Sequence, residues 1–390
     1  MGGLLSRRGE AAAEILAGET MLGPAKWLGG ELGADGCVYG IPGGATSVLR
    51  VDPHSGAVST FGGPLPGRYK WLRGVCTPDG AIWGIPSCAG TVLKIMPEKG
   101  EVAQLGGPYV GDWKWHGAVL APDGCIYGIP CNAETVLKID PVTGEVTTFG
   151  GPFKGKQKWY GGLLGCDGCI YGFPMNATGV LKVNPVTQEA ILLGDFPEGG
   201  YKWHGGVRGA DGCLYGLPNH IDTVLKVDPR TSEVSTFGGP LLKGPDFGET
   251  GNYKWLGGVL AGDGAIYCIP GDAHRVLKIV PATKQAYAIG EPFEDIRNKW
   301  QNGFVGRDGC VYGIPQNFQG VLKIDPISEE VTTIGSFDGS DKWEGGVLAG
   351  DGNIYCMPLR AKKVLRISPA TPDVRGGRAC GRTCTPTLMT

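Results

Sequence analysis

The sequence predicts an all-β fold: an eight-bladed β-propeller of four-stranded antiparallel blades, closed by the N-terminal strand, with a seven-bladed ring as the alternative. Three observations predict it. A Lys-Trp pair recurs at Lys26-Trp27, Lys70-Trp71, Lys114-Trp115, Lys158-Trp159, Lys202-Trp203, Lys254-Trp255, Lys299-Trp300 and Lys342-Trp343. An Asp-Gly turn follows each pair, at Asp35, Asp79, Asp123, Asp167, Asp211, Asp263, Asp308 and Asp351, and a Val-Leu-Lys or Val-Leu-Arg run follows each turn. The first four steps between pairs are each 44 residues and the later ones 52, 45 and 43. A recurring period of this length marks a repeat architecture. Small sheets set radially bury their faces against neighbours and leave only short, protected edges.

The elements of one unit can be taken in order from Lys114 to Gly150. Gly117 to Leu120 and Cys125 to Ile129 are short apolar runs joined by Pro122-Asp123-Gly124. In such a turn Gly supplies the positive φ and Asp bonds its own backbone, so the two runs form a hairpin. After Pro130-Cys131-Asn132-Ala133 comes a third strand, Thr135 to Asp140, rich in β-branched residues. Pro141-Val142-Thr143-Gly144 turns the chain into a fourth strand, Val146 to Phe149.

The eighth unit supplies three strands, ending near Ser368, and no clear fourth strand follows. The missing strand is expected at the other end of the chain. Gly62, Gly106, Gly150 and Gly194 each end a fourth strand eight residues before the next Lys-Trp pair, and Gly18 precedes Lys26 by the same eight. Glu14 to Gly18 therefore aligns with Ala190 to Gly194 and completes the last blade; a short helix from Glu10 to Leu16 is the competing reading of this Ala-rich segment. The chain divides into an N-terminal tail, residues 1–12, one propeller domain, residues 13–371, and a C-terminal tail, residues 372–390.

Composition agrees with this architecture. The 390 residues include 70 glycines, which turn-rich units with paired glycines on a crowded inner strand account for. There are 36 basic and 38 acidic side chains, a net charge of −2, so no global field argues for a nucleic-acid partner. No apolar run approaches the roughly 18 residues of a transmembrane segment, and Leu4-Leu5 makes no signal-peptide core. The expectation is a soluble, cytoplasmic protein. Met1-Gly2-Gly3-Leu4-Leu5-Ser6 fits the N-myristoylation pattern at Gly2, and Arg7-Arg8 would add attraction to anionic lipid, a weak membrane anchor.

Among the 13 cysteines, Cys37, Cys125, Cys169, Cys213 and Cys310 hold one equivalent position, after Asp-Gly. Equivalent positions in different blades are far apart, so the row reads as small buried hydrophobes in a reducing compartment. Cys166 and Cys169 lack two further ligands for zinc, and no metal or other cofactor is expected. The Trp of each pair reads as a wedge between blades. The Lys of each pair reads as a stem covering apolar surface with its head in water, with a ring of anion-binding lysines as the alternative. The Lys of Val-Leu-Lys and the Asp of Asp-Gly are expected at the same end of each blade, within pairing distance.

Ile126-Tyr127-Gly128-Ile129-Pro130 followed by Thr135-Val136-Leu137-Lys138-Ile139-Asp140-Pro141-Val142-Thr143-Gly144-Glu145-Val146 resembles the repeat of YVTN-type, NHL-type and virginiamycin B lyase-like propellers. The resemblance covers nearly the whole chain and implies the propeller fold. The shared residues are those of turns and strands. The lyases use a His and a Glu with a divalent metal, and no position of this sequence matches those residues one by one, so no catalytic assignment is carried over.

In a symmetric scaffold function must break the symmetry. The residues after each Trp are Leu28, Leu72, His116, Tyr160, His204, Leu256, Gln301 and Glu344. The second residues after the Pro that ends the second strand are Gly44, Cys88, Asn132, Asn176, His220, Asp272, Asn317 and Arg360. Both sets are expected at one mouth of the channel, the first two units apolar or small, the others largely polar. The candidate ligand-binding residues are His116, Tyr160, His204, Gln301 and Glu344, with Asn132, Asn176, Asp272 and Asn317 on the loops beside them. Such a mouth suits a small molecule or a peptide. The function expected is a non-catalytic binding or interaction scaffold with a protein or small-molecule partner. The alternative is a lyase- or hydrolase-type enzyme using His116, His204 and Glu344, one of them as general base.

Overall fold

The computed structural model describes residues 9–241 and 252–371. Gly2, Arg7-Arg8, Cys380, Cys384 and the C-terminal tail lie outside the described residues. Eight four-stranded antiparallel sheets form a ring, an eight-bladed propeller. The first strand of each blade, for example Trp71–Cys76 in blade two, Trp115–Leu120 in blade three and Trp159–Leu164 in blade four, neighbours its counterparts in the adjacent blades and so lines the channel. The described residues contain almost no helix, only short 3-10 turns at Pro97–Lys99 and Pro281–Thr283.

The ring closes through Ala12–Ile15, which pairs antiparallel with Leu365–Ser368 as the outer strand of blade eight. The segment is strand, not helix. Its register differs by one residue from the sequence alignment: Leu16 N–H donates to Val364 O, so Leu16 stands where Leu193 faces Val180 in blade four. Burial decides this, because Leu16 enters the core between blades eight and one with Trp27 and Val347, while Ile15 stays half exposed.

The core is distributed. Eight apolar clusters lie between successive blades, each built around one Trp of the Lys-Trp pairs. Every such indole is buried and donates its Nε1–H to a carbonyl twenty residues on, as Trp115 does to Thr135 O at 2.8 Å and Trp203 to Thr223 O at 2.9 Å. The indoles are structural wedges.

The paired lysines take a third course beside the two expected. All eight are buried, and their ammonium groups neither reach water nor form an open ring. Lys114 Nζ donates to Ser87 O of the preceding blade at 2.8 Å and to Gly111 O at 2.7 Å; Lys158 does the same with Cys131 O at 2.9 Å and Gly155 O at 3.0 Å. Lys114 and Lys158 are charged staples between blades, and burial pulls the Lys158 pKa down to about 8. At the opposite end the Asp-Gly carboxylates, except Asp79 of blade two, accept from the Tyr hydroxyl four residues on, and in blades one, four, five and six they pair with the third-strand cation, as Lys182 does with Asp167 at 3.0 Å and Lys278 with Asp263 at 3.1 Å.

Candidate functional site

The inner strand follows the pattern Trp-x-Gly-Gly because adjacent inner strands run very close. A Cβ on Gly29 would stand 2.4 Å from Leu72 O, and one on Gly257 would stand 2.8 Å from Asn302 Cα. The strand also bulges here, with Gly117, Gly161 and Gly205 in the left-handed region at φ 79°, 68° and 68°. Six blades carry Gly at this position: Gly29, Gly117, Gly161, Gly205, Gly257 and Gly345. Two do not. Blade two has Arg73, whose Cδ fills the space left by Gly29, and blade seven has Asn302, held at φ 58°. A left-handed Asn is uncommon and needs local support, here its Nδ2–H to Glu344 O at 3.1 Å.

Arg73 and Asn302 line a chamber of ≈ 40 Å³ in the channel, together with His116, Tyr160, His204 and Leu256. Three consecutive blades stack their rings there: the His116 and Tyr160 centroids are 3.8 Å apart and those of Tyr160 and His204 3.7 Å, with interplanar angles of 29° and 32°. The next polar pair lies two blades on, where Gln301 Nε2 donates to Glu344 Oε1 at 3.3 Å. Leu256 of blade six separates the two groups.

Electrostatically the chamber centres on Arg73. Its charge reaches His116, His204, Tyr160, Glu344 and Glu31. Burial first, then the nearby guanidinium, lowers His116 and His204 to about 3, so both imidazoles are neutral. Burial raises Glu344 to about 7 against the pull of Arg73. Glu31 occupies the place of Val75, Val119, Leu163, Val207, Val259, Phe304 and Val347, all residues that pack toward the following blade. It is 7% exposed, and burial raises it to about 8.

The four loop residues sit at the same mouth, and their polar atoms bridge to backbone. Asn132 Oδ1 accepts from Gln157 N at 2.8 Å, Asn176 Oδ1 from Tyr201 N at 3.0 Å, Asp272 Oδ1 from Asn298 N at 2.8 Å and Asn317 Oδ1 from Asp341 N at 2.7 Å. Each donor residue has a left-handed φ, from 46° to 50°, so these bonds hold a strained turn at the entry to the next blade. The same turn position carries aromatic residues elsewhere and builds a rim above the chamber: Tyr69 packs on Trp113 at 5.1 Å, and His220 lies between Tyr201 at 5.3 Å and Tyr253 at 4.5 Å.

The residue after Trp named His116, Tyr160 and His204 without a sign that their rings stack, and Arg73, Asn302, Glu31 and the aromatic rim were not named. The signal for Arg73 and Asn302 was present one position further on, as two departures from an otherwise unbroken glycine column. Among the described residues no group of three His, Cys, Asp or Glu side chains converges as a metal site, and no helix is long and apolar enough to cross a membrane.

No protein-family model matches the chain, and no curated protein matches it. Its fold is similar to that of a streptogramin B lyase structure, with TM-score 0.60, 14% identity and coverage of 92% of this chain and 97% of the lyase. A catalytically inactive virginiamycin B lyase from Staphylococcus aureus with quinupristin gives TM-score 0.59 and 14% identity over 76% of this chain and 93% of that one. The extracellular domain of a hybrid two-component system from B. thetaiotaomicron gives 0.56 and 12% over 93% of this chain and 43% of that one. The chain is a β-propeller repeat protein, and at these identities the likeness is one of fold.

Proposed function

We propose that this protein is a non-catalytic binding scaffold that holds a protein or small-molecule ligand at the channel mouth formed by the loops between second and third strands. The observation that carries this reading is the placing of unlike side chains from separate blades around one chamber in an otherwise repeated ring: Arg73, His116, Tyr160, His204 and Asn302. The stacked rings and the aromatic rim above them offer flat apolar surface with polar edges, the composition of ligand pockets. Gln301 and Glu344 supply a second polar wall, and Asn132, Asn176, Asp272 and Asn317 fix the loops around it. A reducing compartment, the cytoplasm, fits the eleven described cysteines, all free.

One observation favours a second reading, a propeller enzyme of lyase or hydrolase type. Glu344, raised to about 7, is poised for general acid–base work at neutral pH. The experiment compares wild type with H116A/H204A in affinity capture from the source cell, with native mass spectrometry of the purified protein for small ligands. Ligands retained by the wild type and lost by a cooperatively folded double variant support the scaffold. Equal retention by both removes the mouth as the site, and a stoichiometric divalent ion in the purified wild type transfers the case to the enzyme.

A further inference from the structure

Arg73 is the one cation lining the chamber. A guanidinium carries five N–H donors in a planar fork and stays charged in proteins. Among the described residues Arg73 forms no ion pair: the carboxylates that feel its charge, Glu31 and Glu344, lie outside bridging distance. An unpaired charge withdrawn in part from water is costly. A second observation points the same way. His116 is 9% exposed, lines the chamber, and its Nδ1 is buried with no hydrogen-bond partner. Beside them the Tyr160 hydroxyl is a further donor close to Arg73. A cavity of ≈ 40 Å³ has room for about three waters, or for a group of three or four heavy atoms.

We propose that the chamber binds a carboxylate, seated on the Arg73 fork, with Tyr160 and His116 at its edges, Asn302 behind it and the tail of the ligand leading out past the aromatic rim. A carboxylate matches the fork with two parallel hydrogen bonds, which a spherical anion cannot make; a tetrahedral phosphate can make them but is bulkier than the ≈ 40 Å³ chamber accepts. A protonated Glu31, a Glu344 only partly ionised near pH 7 and neutral imidazoles leave most of the guanidinium charge uncancelled, which supports the same class. The carboxylate belongs either to a free small acid or to a chain end or acidic side chain of a protein partner. This inference rests on the mouth being the binding site, and its test is separate from the capture experiment above.

The test is calorimetric titration at pH 7 with sodium acetate, sodium chloride, sodium phosphate, and a short peptide in C-terminal acid and amide forms. Wild type binds acetate, or the acid peptide but not its amide, in preference to chloride and phosphate; the first result assigns a free acid, the second a polypeptide carboxylate. R73K keeps the charge without the fork and weakens binding about tenfold, the cost of roughly one charge-assisted hydrogen bond. R73Q abolishes it, and E344Q, which removes a competing negative group, tightens it. Absence of binding by both acetate and acid peptide overturns the proposal, as does a preference for phosphate or binding unchanged in R73Q. If acetate and peptide fail while H116A/H204A still loses its captured partner, the carboxylate assignment falls and the scaffold reading stands.

Discussion

At the scale of the residue, the channel is defined by a few side chains that replace the repeat's preferred type. Arg73 and Asn302 replace glycine, Glu31 replaces valine, and His116, Tyr160, His204, Gln301 and Glu344 fill a position that is leucine in three other blades. Their burial sets the pH response. Glu344, raised from 4.5 to about 7, keeps its proton in the folded chain where the unfolded chain has lost it. The folded state then binds more protons between those values, so this group's stabilising contribution is complete below pH 4.5 and is lost as pH rises to about 7. Glu31 extends the decline to about 8. His116 and His204, lowered from 6.5 to about 3, act in the opposite sense, and their contribution falls as pH drops from 6.5 toward 3. Urea denaturation of wild type is therefore expected to lose stability more steeply than E344Q between pH 5 and pH 7, with a difference in slope of at most about 1.4 kcal/mol per pH unit. Parallel pH profiles for the two proteins would show that Glu344 titrates in the folded chain as it does in the unfolded one.

At the scale of the element, two devices join the blades, and they differ in how readily the sequence showed them. The closing strand was legible because Gly18 keeps the spacing of the other strand-ending glycines, although the register slipped by one residue to bury Leu16. Spacing counts residues, whereas burial selects which of two neighbouring apolar side chains turns inward. Deleting residues 1–18 removes the outer strand of blade eight, its ladder to Leu365–Ser368, the Glu14–Arg366 ion pair and the buried Leu16. The expected loss is about 3–5 kcal/mol, from exposed apolar surface and an opened sheet edge, read as a lower denaturation midpoint than a control lacking only residues 1–8. Equal midpoints would assign closure elsewhere. The lysine staples were not legible, because Lys-Trp gives no hint that an ammonium turns back to carbonyls of the preceding blade. K114M keeps the stem, leaves Gly111 O without its donor and leaves Ser87 O with the backbone N–H of residue 114 alone, at an expected cost of about 1–3 kcal/mol. A variant as stable as wild type would show that water takes over both carbonyls.

Across the ring, the fold could be read because one unit is written eight times, so each turn, wedge and strand is confirmed by the others. The site could be read only in part, because it consists of exceptions. A single column, the residue after Trp, named the three residues whose rings stack, but the bulge at left-handed Gly117, Gly161 and Gly205 breaks the two-residue alternation of the inner strand. Which of the next residues turns into the channel then depends on backbone geometry, and Arg73 escaped for that reason. The cysteine row shows the opposite case, repetition without function. Cys37, Cys169, Cys213 and Cys310 are buried, and burial first, with the adjacent Asp-Gly carboxylates, pushes their thiols up to about 11. Reactivity follows the thiolate, so these groups are inert in the folded ring, while Cys166 is exposed. A C380S/C384S variant isolates the eleven described cysteines, all of them free. Thiol titration of the native variant is expected to begin at Cys166 and to leave the buried row unreacted. Denaturation without reductant should then release all eleven thiols together as the blades separate. A count short by two or more would mean disulfides between chain segments, and would overturn the reducing compartment proposed for this protein.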